Sequence, residues 1–318
     1  MWTYLKRQQA YLILGVFLVV LSFIHTHISP YLRQLLILSG INIILANGLN
    51  LISGITGQLS LGHAGFMAIG AYASAYLSVF VTGPESFAFL LNILAGGCLA
   101  GFFGFILGLP TLRLKGDYLA IVTLGFSEMI RVILLNMDSV GGARGLPQIP
   151  HNTDLIWTAG AVGLSLIFIY RMMKSYIGRA FLAIRENELA AQSCGINITK
   201  YKVISFTSGA FLAGIAGALF AHQLSYINPS IFGFIKSFEI LIMIVLGGLG
   251  SLSGATLAAI ILTFLPEALR PLQQITQIDF RMIIYSSLLI VMMLTRPSGL
   301  LGKRELWDFK IFGAFRRS

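Results

Sequence analysis

Charged side chains are what this sequence has least of. They make up 11% of 318 residues, with 12 Asp and Glu against 22 Lys and Arg, where a soluble domain carries about 25%. At 56% hydrophobic residues and a mean hydropathy of +0.84, the chain cannot clothe a water-facing surface. That excludes a soluble globule and leaves a protein embedded in lipid almost throughout. Cysteine is nearly absent as well. Cys98 falls in an apolar run and Cys194 in a charged loop, so neither a disulfide framework nor a metal-ligand cluster is on offer.

A phosphate-binding loop is also missing. The nearest approach to G-x-x-x-x-G-K-[ST] is GLLGKRE around Gly302, which lacks the first glycine at the required distance and the hydroxyl residue. The chain is therefore expected not to hydrolyse ATP, and no catalytic residue, cofactor or metal site is assigned to it. Nor is there a set of mid-membrane acids of the kind ion-coupled carriers use. Glu128 and Arg131 stand alone in an apolar run, three residues apart on one helical face, where each neutralises the other. A structural ion pair and a pathway-lining role both fit them, and the energy for any transport has to come from another subunit. The net charge of +10 is read as the basic bias of cytoplasmic loops, not as a nucleic-acid surface.

What the sequence has in quantity is membrane-length apolar runs, at residues 11–28, 31–52, 59–81, 87–109, 118–136, 155–173, 201–222 and 282–295. The first follows Lys6 and Arg7 like a signal peptide, but no small-residue cleavage site comes after it, so it reads as a retained helix. Residues 238–269 are too long for one span and are interrupted by GGLGSLSG at 247–254. The basic residues set the topology. With the N-terminus inside, the 109–117 loop, the 171–202 stretch and the tail at 296–318 also lie inside, which places 16 of the 22 Lys and Arg in the cytoplasm. Parity then requires 238–269 to cross twice, the first pass short, tilted or partly re-entrant. The expected fold is an all-α polytopic bundle of about ten transmembrane helices, one permease domain over residues 1–318, with both termini cytoplasmic. Small residues at helix-packing spacing, such as Gly97 with Gly101 and Ala210 with Gly214, are read as close-packing sites.

The most informative stretch is GLNLISGITGQLSLGHAGFMAIGAYASAYL from Gly48. It runs an apolar span into a Gly/Ser/Gln/His-rich break and straight into another span. Polar, flexible backbone at that depth is tolerated only where it is buried in protein or faces a water-filled cavity. Candidate pathway residues are Asn47, Asn50, Gln58, Ser60, His63 and, further on, Glu128. Interhelical hydrogen bonding is the alternative role for the asparagines, Asn42 included. Gly57, Gly62 and Gly65 are the positions where the backbone is expected to need glycine. GQLSLGHAG at Gly57 is faintly similar to GGLGSLSGA at Gly247. His222 and Glu239 are expected at the outer rim, facing a binding protein or lipid headgroups.

The longest cytoplasmic loop, residues 174–199, contains GRAFLAIRENELAAQSCGIN from Gly178. It is rich in helix formers, with Gly195 placed for a left-handed C-terminal cap. Phe181, Ile184 and Ala191 share an arc with Glu188, a mixed surface that fits docking in a polar groove of a partner.

Together the Gly48 stretch, GDYLAIVTLGFSEMIRVILLN from Gly116, VGGARGLPQIP from Val140, the Gly178 loop and RPSGLLGKRELW from Arg296 resemble the branched-chain amino acid permease family of ABC importers. GDYLAIVTLGF and RPSGLLG bring the chain nearer its M-type subunits. The resemblance covers nearly the full chain and implies the larger-bundle class of ABC importer. It also implies a homologous H-type permease partner, two cytoplasmic ATPases that bind ATP and Mg, an extracytoplasmic substrate-binding protein, and the bacterial cytoplasmic membrane. On it, the Gly178 loop is the coupling segment to the ATPase, with Arg179, Arg185, Glu186, Glu188 and Gly195 as its candidate residues. Arg144 departs from the family pattern in the outer loop. Urea or short amides are a second substrate class within the family, and a stand-alone facilitator or secondary carrier is the alternative from another class.

Overall fold

The computed structural model describes residues 29–80, 85–111, 116–268, 287, 290–291, 294–295 and 299–302. The expected first span, the 112–115 part of the first inner loop, most of the last span and nearly all of the basic tail lie outside them. Among the described residues the chain forms ten α-helices, three 3-10 turns and no strand beyond one isolated bridge between Leu146 and Ile227. Five segments are long and apolar enough to cross a membrane: Pro30–Ile55, Ser86–Thr111, Asp117–Leu135, Leu155–Lys174 and Ile198–Leu224.

Helix α1, Pro30–Leu49, starts with Ser29 as N-cap and proline in the first turn. It runs without interruption into a π-helical segment, Asn50–Ile55. Most of this 26-residue span is buried, as a helix apolar all round must be when it forms the centre of a bundle. Next come α2 (His63–Phe80), α3 (Glu85–Thr111), α4 (Asp117–Leu135) and α5 (Leu155–Lys174). Two short helices follow, α6 (Tyr176–Glu186) and α7 (Glu188–Ser193), and then α8 (Ile198–Leu224), the second central helix and also mostly buried. The series closes with α9 (Phe234–Gly247) and α10 (Leu252–Ala268).

Helix α8 packs on α2 and α3, and α1 packs on α8, α10 and α5. The small residues do what their spacing predicts. Gly104 meets the Ala210 methyl, Gly214 meets Ala100, and a side chain on Gly96 would press into the Gly70 carbonyl at 2.7 Å. With no hydrophobic drive between helices in lipid, such backbone contact is what holds α2, α3 and α8 together.

The expected two-pass stretch forms two helices as far as residue 268, with boundaries shifted: the first begins at Phe234 and the turn is confined to residues 248–251. At about 1.5 Å per residue, α9 is about 21 Å long, well short of a bilayer core. Gly247 and Gly254 lie in backbone contact on either side of the turn, so α9 and α10 form a tight hairpin. Leu300 and Leu301 donate to the carbonyls of Leu246 and Gly247, which puts the start of the tail motif at the turn end of this hairpin.

Candidate functional site

The two glycine-rich breaks meet. Asn50, the first residue of the π segment, accepts from the Gly250 amide at 2.9 Å and donates to the Ser251 carbonyl at 3.0 Å. One side chain thus holds two backbone groups of the α9–α10 turn. The π form is part of how it does so. Widening the helix frees carbonyls of the ordinary ladder, and hydroxyls take them up: Thr56 and Ser205 both donate to the Leu51 carbonyl, at 2.9 and 3.1 Å. Segments of this kind concentrate at functional sites.

The break after Thr56 is extended and held from several sides. Gly57 adopts φ +77° with Arg185 packed over it, a conformation that residues with a Cβ resist. Gly62 and Gly65 serve close approach: a Cβ would fall 3.0 Å from the Thr123 carbonyl carbon and 2.8 Å from the Ser127 Cα. The Leu61 amide donates to Thr123 Oγ1 at 3.0 Å, and the Ala64 amide to Ser237 Oγ at 3.1 Å. These bonds tie the start of α2 to α4 and α9.

The polar candidates separate into two groups. Asn47, Asn50, Gln58, Ser60 and His63 are at most 2% exposed. Asn42 and Asn47 reach Thr263 and Thr256 of α10, at 2.9 and 3.0 Å. With Asn50 of the π segment they form a polar seam of interhelical bonds between the first described span and the α9–α10 hairpin. His63 is fully buried, its ring packed against Gly48. Gln58 is sealed in with neither amide atom paired among the described residues, a burial that costs about 1–3 kcal/mol. Glu128 alone of the six lines a cavity of about 500 Å³, together with Arg131, Lys236 and Glu239. Its ion pair with Arg131 is present at 2.6 Å. His222 corrects its expectation: it is fully buried, 3.1 Å from Ser74 and 2.9 Å from the Pro150 carbonyl, with Phe89 edge-on. It cannot face a binding protein or lipid.

The 174–199 loop is two helices instead of one, because Asn187 is extended and caps the second through the Ala190 amide. Gly195, at φ +79°, ends α7 as its position predicts, with the Ile196 amide returning to the Ala191 carbonyl. The mixed arc resolves differently from the sequence reading. Phe181, Ile184 and Ala191 are buried against the bundle, Phe181 edge-on to Tyr201, and Glu188 turns inward to pair with the nearly buried Lys202 at 2.5 Å. Arg185 also points inward, donating to the Gly54 carbonyl at 3.1 Å and lying against Gly250. Arg179, Glu186 and Gly195 stay exposed, joined by Leu182 and Leu189, which is 70% exposed. The segment, both breaks and the tail motif therefore share one end of the bundle. At the other end the VGGARGLPQIP loop is pinned by Tyr226 to the Arg144 carbonyl and by Asn228 to that of Ala143.

A central broken helix, a second broken hairpin against it and a short helical handle touching both define a polytopic membrane permease. Residues 31–294 match the family described as branched-chain amino acid transport system / permease component, and the chain belongs to that family. It is 38% identical to the high-affinity branched-chain amino acid transport system permease protein LivM of Escherichia coli (strain K12), over 83% of this chain and 68% of that protein. The LivM of Salmonella typhimurium is 37% identical over 82% and 68%. The permease protein LivH of Escherichia coli (strain K12) is 32% identical over 48% of each chain. No solved structure matches.

Proposed function

We propose that this chain is the M-type membrane subunit of a binding-protein-dependent ABC importer that carries branched-chain or other neutral amino acids across a bacterial cytoplasmic membrane. The substrate follows that of its relatives, which are permeases of high-affinity branched-chain amino acid transport systems. Similarity to both LivM and LivH supports a pair of homologous permeases, of which this chain supplies one. In this reading, ATP and Mg are bound by two partner ATPases, an extracytoplasmic binding protein delivers substrate, and both termini lie in the cytoplasm.

The observation that carries the coupling is Arg185. It reaches from the handle to the Gly54 carbonyl at the end of the π segment and lies against Gly250 of the other break. The exposed side of α6 and α7, with Arg179, Leu182, Glu186 and Leu189, supports an ATPase docking surface, and Gly195 lets the handle tilt on α8. Movement of the handle then pulls on both breaks at once. The buried Gln58 amide, without a partner among the described residues, favours a second arrangement in which the break opens and water or substrate reaches it. Asn47, Asn50, Ser60 and His63 line the pathway in that arrangement and are sealed in this one.

The test is uptake into proteoliposomes holding the complete complex and its binding protein. ATP-dependent accumulation of leucine or valine supports the proposal. Accumulation of urea or acetamide instead moves it to the second substrate class, and uptake independent of ATP makes the protein a facilitator.

A further inference from the structure

The cavity beside Glu128 has an unusual lining. It is bounded by two acids, Glu128 and Glu239, two bases, Arg131 and Lys236, and the apolar side chains of Phe220 and Ile231. It lies in the half of the bundle away from the handle, where α4 runs toward the VGGARGLPQIP loop and α9 begins. From this we propose that it is a binding site for a zwitterionic α-amino acid, occupied on the way from the outer surface to the breaks. The proposal rests on the importer reading above and assigns that reading a place in this chain.

Three of the four charges have capacity left over. Glu128 is fully engaged, with one oxygen 2.6 Å from Arg131 Nε and the other accepting the Phe234 amide at 3.0 Å. It fixes the guanidinium and the first turn of α9 without competing for a ligand. Because Arg131 uses Nε for Glu128, its two terminal nitrogens have no partner among the described residues. They form the fork that matches a carboxylate. Lys236 Nζ and Glu239 Oε2 pair at 3.3 Å, longer than a good charge-assisted bond, and the second Glu239 oxygen has no partner among the described residues. That oxygen is the acceptor for an ammonium group.

The four charges cancel, which decides the ligand class. A net-positive site would gather anions and a net-negative one cations, whereas a neutral site with separated signs favours a neutral ligand with separated signs. All four side chains are between 17% and 31% exposed, so the pairs are partly desolvated and strong enough to orient a ligand. They are also open enough to exchange with one. The apolar wall takes the aliphatic side chain. A pathway site should bind weakly, since tight binding slows release.

The experiment uses the detergent-solubilised complete complex without binding protein, with leucine as probe and saturation-transfer NMR as readout. Leucine should bind. 4-Methylpentanoate, which lacks the ammonium group, and isopentylamine, which lacks the carboxylate, should each bind at least 10-fold more weakly. Glu239→Gln, a near-isosteric change, should weaken leucine at least 10-fold and remove its advantage over 4-methylpentanoate. Arg131→Gln should instead remove its advantage over isopentylamine. Binding of leucine with no dependence on either variant overturns the site while leaving the importer intact. The absence of leucine binding in wild type also overturns the site if proteoliposomes accumulate leucine. If they do not, the importer reading fails first.

Discussion

Arg185→Ala removes the one described hydrogen bond between the handle and the end of the broken central helix. The bond runs from a guanidinium to the carbonyl of buried Gly54 at 3.1 Å, with the Arg185 side chain 20% exposed. A hydrogen bond to a charged group contributes about 1.5–3 kcal/mol. The pairing with Glu186, itself 65% exposed, adds about 0–1 kcal/mol and is not counted. If the bond is made in the state that carries movement to the breaks, its loss raises the barrier to coupled transport by that amount. At 1.36 kcal/mol per decade, uptake should fall about 10- to 150-fold. The assay is leucine uptake and ATP hydrolysis measured on the same proteoliposomes. Hydrolysis should continue while uptake falls, since no residue of the nucleotide site is touched. Arg185→Lys keeps a charged donor without the fork and should lose less. Equal uptake by Arg185→Ala and wild type, with the complex intact, refutes the argument that this contact transmits movement.

Gly62→Val places a branched side chain against the Thr123 carbonyl and should cost about 1–3 kcal/mol in overpacking, while Gly57→Ala, at φ +77°, should cost about 1–2 kcal/mol; thermal unfolding in detergent and uptake measure both, and normal values for both remove the case for a required break. Gln58→Leu deletes a buried amide that has no partner among the described residues, so it should stabilise the resting state by about 1–3 kcal/mol and slow transport; destabilisation by a similar amount means that the amide is paired. Glu188→Arg strands Lys202, which is 5% exposed, at a cost of about 3 kcal/mol, and Glu188→Arg with Lys202→Glu should recover it; loss of ATPase binding with unchanged stability makes Glu188 an outward contact instead.

The helices were legible because lipid imposes a simple rule: about 20 apolar residues, broken by charge or glycine. Charge parity led to the expectation of two passes over residues 238–269, and two helices joined by a glycine turn stand there. The glycines at 57, 62 and 65 were legible too, because φ and close approach are properties of the backbone itself. Partners were not. Nothing local distinguishes Asn50 bound to a distant glycine turn from Asn50 lining a channel, and its partners Gly250 and Ser251 are about 200 residues away. The handle misled for a related reason. Glu188 lies on the arc of Phe181 and Ile184, but a buried lysine on α8 draws it inward, and that pairing depends on how α7 packs. His222 looked like an outer-rim residue from its place at a span end, whereas the loop at Pro150 folds over it. Thr123, Ser205 and Ser237, which grip the break, gave no signal, because hydroxyls in membrane helices more often bond their own backbone.

Coupling requires the handle and the two breaks to move as one unit, and spin labels at Leu59 and Leu249 report that movement. These residues sit in the two breaks and are 38% and 44% exposed, so labels fit without disturbing the junction. Pulsed electron-electron resonance on the complete complex should give one separation without nucleotide and a different one when ATP is trapped with vanadate, and Arg185→Ala should keep the nucleotide-free value in both conditions. An identical separation in every state, in labelled complexes that still accumulate leucine, would contradict the account.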